Sequence, residues 1–433
     1  MNTLKSGSRG PEVQLLQLAL ERAGYSPGML DGVFGSETAA SLRSFERANG
    51  FAPDGIAGGS VHRALMPYYT GYVTHTVKRG DTLYNLSQEY GVTLRAVETA
   101  NPGVDPLNLA IGSVLTVPLP FPVVPDGIAY CSALIGLVCR GIAARYPFVS
   151  LGKIGKSVMG APLWTLTLGT GENRLFYNAA HHANEWITTP LLLKFCEELA
   201  HASAFSEKIY GFDAESLLKK STLCLAPAVN PDGIDLVTGA LRSGAYYDRA
   251  VEISRDYPDI PFPSGWKANI LGTDLNLQYP AGWSQAQEIK FAQGYISPAP
   301  RDFVGYSPLS ARESRSIYEH TLSFSPALTL SYHTQGNTIY WRYLDCAPPR
   351  SREIANLLAA ASGYVIEDTP YSSGFAGYKD WFIQNFFRPG YTIEAGSGEN
   401  PLPLSRFSEI YNDNIGILTL PMTLTELSCA VCI

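Results

Sequence analysis

Beyond residue 125, short apolar runs recur between helical stretches. Residues 164–168, 174–178, 223–226, 327–331 and 390–393 read as strands, and segments such as 190–201 and 312–320 read as helices between them. Strands and helices that alternate in this way predict an α/β domain on a mixed, mostly parallel central sheet, large enough for a full core. Ligands of such sheets gather beyond the carboxyl ends of the strands. That is where chemistry is to be sought.

The front of the chain is built differently. Residues 1–68 carry Val13, Leu15, Leu16, Leu18 and Leu20 largely on one helical face, after Ser8-Arg9-Gly10-Pro11, with Pro11 suited to a first turn. The turn Asp31-Gly32-Val33-Phe34-Gly35 recurs as Asp54-Gly55-Ile56-Ala57-Gly58, each copy opening a helix. The pattern predicts a three-helix module. Residues 72–118 read as strand, two helices and strand, with Asp81 placed to cap the first helix. Residues 119–125 are proline-rich and predict a semi-rigid extended spacer, leaving 125–433 for the large domain.

Charge narrows the classes further. The 32 lysines and arginines stand against 39 acids, a net of −7, which argues against general attraction to nucleic acid or anionic membrane. Residues 1–120 hold nine bases and ten acids, so the front modules are not electrostatic binders. No run of about 20 apolar residues predicts a spanning helix, and the first residues lack the apolar core of an export signal. The expected setting is therefore the inside of a cell, with export by a signal absent from this chain as the alternative. Seven cysteines cannot all pair in one chain, and the Cys429-Ala430-Val431-Cys432 pair lacks a second pair at zinc-ribbon spacing. A reduced, structural set is expected.

Three strand ends carry the chemistry. Ala179-Ala180-His181-His182-Ala183-Asn184-Glu185 follows one strand, Tyr332-His333 closes a second and Glu394-Ala395-Gly396 a third. Two imidazoles and a carboxylate are the usual holders of a catalytic zinc ion, and a second carboxylate serves as the base for an attacking water.

These residues sit in motifs that resemble the zinc carboxypeptidase family. His182-Ala183-Asn184-Glu185-Trp186, Asn230-Pro231-Asp232-Gly233, Gly272-Thr273-Asp274-Leu275-Asn276, Ser331-Tyr332-His333 and Glu394-Ala395-Gly396 occur in the family's order across about residues 145–425. The resemblance implies one Zn²⁺ held by His182, Glu185 and His333, with His181 the neighbour. It makes Glu394 the general base, and Ser331 and Tyr332 cleft residues. Residues 1–68 resemble the helical peptidoglycan-binding domain, and 72–118 resemble the lysin motif (LysM). Both imply bacterial wall glycan or peptide as partner.

Departures from the family pattern set the expected substrate. Members that trim C-termini carry, where this chain has Leu277, an arginine that clamps the terminal carboxylate; leucine has no donor. Asn276 remains as a polar contact, Lys267 falls near the family's other cleft arginine, and Tyr371 near its mobile tyrosine. Lys379, at the position that reads the side chain beyond the cut, either favours a negative side chain such as that of diaminopimelic acid or pairs with Asp380. Together these resemble the γ-D-glutamyl-L-diamino acid endopeptidases, which cut peptidoglycan stem peptides. A zinc carboxypeptidase on ordinary peptide C-termini, or a non-catalytic wall-binding protein, are the alternatives.

Overall fold

The computed structural model describes residues 1–424, so Cys429 and Cys432 lie outside the described residues. Two compact units are present, Met1–Leu151 and Gly152–Ile433.

In the first unit, helices Pro11–Arg22 and Ser36–Ala48 are followed by the short helices Gly59–Ala64 and Met66–Thr70. The repeated turn is one device used twice. Asp31 Oδ1 accepts from Val33 N and Asp54 Oδ1 from Ile56 N, both at 2.8 Å. Gly32 and Gly55 take φ of 72° and 74°, where a side chain would be strained. Strands β1 (Tyr72–Thr76) and β2 (Val114–Pro118) then pair antiparallel, Tyr72 facing Pro118 and Thr76 facing Val114. Helices Leu83–Glu89 and Leu94–Ala100 lie between them, over a core of Val77, Leu83, Leu86, Val97, Leu115 and Val117.

Two local expectations are corrected. Thr82, not Asp81, caps the first of these helices by accepting from Asn85 N at 3.0 Å. Asp81 instead takes His75 Nε2 and Lys78 N, both at 2.7 Å. The proline-rich stretch is not a free spacer. Val123, Val124 and Pro125 are buried, Arg22 donates to Pro122 O, Arg145 donates to Phe121 O, and the Arg22 guanidinium sits 4.4 Å over the Phe121 ring. Prolines fix φ but leave their carbonyls as acceptors, and two arginines use them to hold the segment down.

The second unit holds an eight-stranded sheet built from β3 (Ser150–Lys156), β4 (Pro162–Leu168), β5 (Asn173–Ala179), β8 (Ser221–Ala226), β9 (Leu328–His333), β10 (Thr338–Tyr340), β11 (Val365–Glu367) and β12 (Gly390–Glu394). A separate ribbon is made by β6 (Lys208–Ile209) and β7 (Phe212–Asp213). The sheet order is β11-β10-β12-β9-β5-β8-β4-β3. β12, β9, β5 and β8 run parallel in turn, while β10 and β4 run antiparallel to the neighbours β12 and β8. It is the mixed, mostly parallel sheet that the alternation predicts.

Strand alternation divides the core into two layers. Tyr177 reaches helix Phe407–Thr419 through its hydroxyl to Leu418 O, whereas its neighbour Phe176 packs on Tyr378 of helix Tyr378–Phe386. Because β5, β9 and β12 are parallel and in register, Ala179, His333 and Glu394 end at one edge. Among the described residues no helix is long and apolar enough to cross a membrane.

Candidate active site

The turn after β5 is sharp. Ala180 takes φ 54°, and Val229 N and Asn230 N hold the carbonyls of Ala179 and Ala180 at 3.0 Å. The turn buries His181 completely and sends His182 and Glu185 across the strand ends. Asn230 ties the loop from behind, donating to Ala268 O at 2.9 Å and His181 O at 3.2 Å, while Ala183 N donates to Lys267 O at 3.0 Å. Lys267 is thereby fixed beside the loop.

His182, Glu185 and His333 meet at one spot. His182 Nδ1 lies 3.0 Å from Glu185 Oε1, His333 Nδ1 lies 2.9 Å from Glu185 Oε2, and the two Nδ1 atoms are 3.2 Å apart. Their donor atoms all lie within 4.8 Å of one another. His182 Nε2 is held by Asp274 Oδ1 at 3.1 Å, a bond that fixes the ring and leaves Nδ1 as the inward nitrogen. Two ring nitrogens and a carboxylate converging in a buried place, one ring braced by a second carboxylate, fit a zinc ion.

The charges are tightly set. Burial pulls His182 down, but Glu185 and Asp274 outweigh it and raise it to about 9. Burial pushes the Glu185 carboxyl up, yet His182 and Lys267 hold it well below the usual range. Burial lowers His333 and lowers His181 well below its ordinary value; His181 stacks on His333 at 5.7 Å and bonds Tyr279. Lys267 Nζ lies 2.8 Å from Glu185 Oε1, a contact that keeps it charged despite burial.

Glu394 stands beside His333 across the β12–β9 register and faces the cleft. Burial, then the Glu185 charge, raises its carboxyl to about 8. The cleft encloses about 200 Å³. Asn276 lines it, with Oδ1 fixed by Tyr378 N at 3.0 Å, and among the described residues no hydrogen bond engages its amide Nδ2.

Two expected cleft residues, Tyr332 and Ser331, are placed otherwise. Tyr332 is fully buried on the opposite face of β9, among Tyr177 and Tyr364, because strand side chains alternate and its neighbour His333 takes the site face. Ser331 is also buried and donates to Asn178 Oδ1 at 2.8 Å. Lys379 reaches the cleft wall with its donors spent: Nζ lies 2.5 Å from Asp380 Oδ1, 2.6 Å from Arg342 O and 3.3 Å from Thr369 Oγ1. Of the two readings of Lys379, pairing with Asp380 is the one the geometry displays. Tyr371 is 67% exposed, its ring edge-on to Phe375. Leu277 is buried in an apolar cluster with Tyr279 and Tyr378.

Sequence reasoning quoted Asp274 without giving it a role, and passed over Arg301 and Asp302, which also line the cleft. The only available signal for Asp274 was its place in the Gly-Thr-Asp-Leu-Asn motif; its partner His182 is 92 residues away.

Comparison with known proteins follows the same division. The zinc carboxypeptidase model matches residues 137–415, a peptidoglycan binding domain residues 9–65 and a LysM domain residues 75–118. γ-D-Glutamyl-L-diamino acid endopeptidase 1 of Lysinibacillus sphaericus is 39% identical over 279 residues, 64% of this chain and 68% of that protein. The uncharacterized protein YqgT of Bacillus subtilis is 40% identical over 277 residues, 63% of this chain and 72% of that one. In fold, the crystal structure of thrombin activatable fibrinolysis inhibitor aligns with TM-score 0.53 at 19% identity, covering 68% of this chain and 74% of that one. With the family model spanning most of the chain, and a relative matched over two thirds of its length, the chain belongs to the zinc carboxypeptidase family.

Proposed function

We propose that this metallopeptidase hydrolyses bacterial peptidoglycan stem peptides at the bond between γ-linked D-glutamate and the diamino acid. The observation that carries the substrate is the 39% identity to a γ-D-glutamyl-L-diamino acid endopeptidase, on a chain whose front matches two wall-binding domains. Leu277 supports the same choice, since an apolar side chain there offers no clamp for a terminal carboxylate.

In this reading His182, Glu185 and His333 hold the zinc ion. When bound, it supplies a Lewis acid for the scissile carbonyl and lowers the pKa of an attacking water. Glu394, raised by burial, takes the proton of that water and delivers it to the departing amine. Lys267, charged and fixed by its loop, stabilises negative charge developing on the carbonyl oxygen. Asn276 orients the residue beyond the cut through its side-chain amide N–H donors. The front modules bind wall polymer and raise the local substrate concentration, on the order of a hundredfold or more where both ends engage together.

The test compares zinc content and substrate end groups. Wild type should carry about one zinc per chain, and His333→Ala should lose both metal and activity. Amidating the terminal carboxylate of the peptide should leave cleavage largely intact. Absence of zinc from the wild-type chain would make it a silent wall binder. Strict dependence on a free terminus, with single residues released from ordinary peptides, would make it a carboxypeptidase.

A further inference from the structure

A γ-linked D-glutamyl residue leaves its α-carboxylate free, four bonds from the scissile carbonyl carbon. An ordinary α-peptide carries a charge at that distance only where the residue is itself a glutamate. An enzyme that selects this linkage needs a cation to read it, and lysine and arginine enter the cleft at four positions: Lys267, Lys290, Arg301 and Lys379.

Three of the four are already committed to other partners. Lys267 is engaged by Glu185, and Lys379 by Asp380, Arg342 O and Thr369. The Lys290 side chain is 10% exposed, and its Nζ lies 2.6 Å from Asp302 Oδ1. Arg301 differs. Its Nε alone is tied, to Asp302 Oδ2 at 2.6 Å, and among the described residues no hydrogen bond engages either terminal nitrogen. Its side chain is 43% exposed. A guanidinium braced through Nε presents its remaining donors as a planar fork, the geometry that matches a carboxylate.

The segment carrying Arg301 is rigidly seated. Pro300 O accepts from Lys267 N at 2.8 Å and Ala268 N at 2.9 Å, and Phe303 O accepts from Asp274 N at 2.9 Å. Asp302 holds φ 66°, with its N–H donating to Asp274 Oδ2 at 3.1 Å. Arg301 therefore belongs to the group around Lys267 and Asp274. Thr369, Lys379 and Asp380 form a separate group, at the position that by family resemblance lies beyond the cut.

We propose that Arg301, braced by Asp302, binds the free α-carboxylate of the γ-linked D-glutamyl residue and so sets the enzyme's preference for that linkage. The proposal rests on the γ-D-glutamyl reading above, and its test separates the two. The substrates are L-Ala-γ-D-Glu-diaminopimelate and the same peptide with the D-glutamyl α-carboxylate amidated. The zinc-loaded wild-type chain should favour the carboxylate form by about 30- to 100-fold in kcat/KM, the range of a charge-assisted hydrogen-bond pair. In Arg301→Gln that ratio should fall towards one, chiefly through KM, and Arg301→Lys should recover part of it. Inhibition by the product L-Ala-D-Glu should weaken in parallel, with zinc content and Tm unchanged. A wild-type ratio near one, or equal loss on both substrates in Arg301→Gln, overturns the role of Arg301 while leaving the proposed activity standing. So does a loss that follows amidation of the diaminopimelate carboxylates instead. Failure of the wild-type chain to cut the γ-bond in either substrate overturns both.

Discussion

Asp274 ties together most of what is specific to the site. One of its oxygens takes His182 Nε2 and the backbone of Asn276, and the other takes the backbone of Asp302. Removing its charge by Asp274→Asn should weaken zinc binding about 10- to 100-fold while the chain stays folded, as measured by competition with a chromophoric chelator. The same carboxylate, with that of Glu185, raises His182 to about 9. The metal-free site therefore carries an imidazolium at pH 7.5, and zinc requires the neutral ring. Zinc binding should release about one to two protons at that pH, from His182 and from Glu394, whose carboxyl stands at about 8, read by calorimetry in buffers of different ionisation enthalpy, and affinity should fall as pH drops below 9. A proton count near zero would contradict the charges assigned to the cluster.

At the scale of elements, strand ends were legible because their chemistry is local: His182 and Glu185 are three residues apart, and His333 and Glu394 each close an apolar run. What the sequence did not show is which face a strand residue takes. Tyr332 and His333 are neighbours with opposite fates, and only the pairing of β9 with β5 and β12 decides between them. The proline-rich segment was misread for a related reason. Composition reports its stiffness but not the arginines Arg22 and Arg145 that reach it from distant helices. One helix makes a measurable prediction. His320, on helix Arg312–Phe324, stacks on Phe324 and lies edge-on to Phe176; burial lowers it to about 4. The folded state thus keeps His320 neutral where the unfolded chain protonates it near 6.5. That site costs nothing above pH 6.5, and stability is lost as pH falls from 6.5 towards 4, by about 1–2 kcal/mol after allowance for partial exposure. His320→Gln should flatten that part of the urea-midpoint profile between pH 7 and 5. An unchanged slope would show that His320 does not titrate differently on unfolding.

For the whole molecule, the division of labour was readable early, because each part carries its own repeat or motif and none depends on the others to be recognised. The substrate was less so, since it is set by spent and unspent donors in one cleft. The sequence left Lys379 either open to a negative side chain or paired with Asp380, and only the placing of Asp380, Arg342 and Thr369 around it decides. The central claim is hydrolysis of one bond by a zinc-dependent chain, and mass spectrometry of digested stem peptides, with and without a chelator, tests it most directly. The account predicts fragments ending in D-glutamate and beginning with the diamino acid, abolished by the chelator and restored by zinc. Stem peptides left whole by the zinc-loaded chain, or cut only at their C-terminal residue, would contradict it.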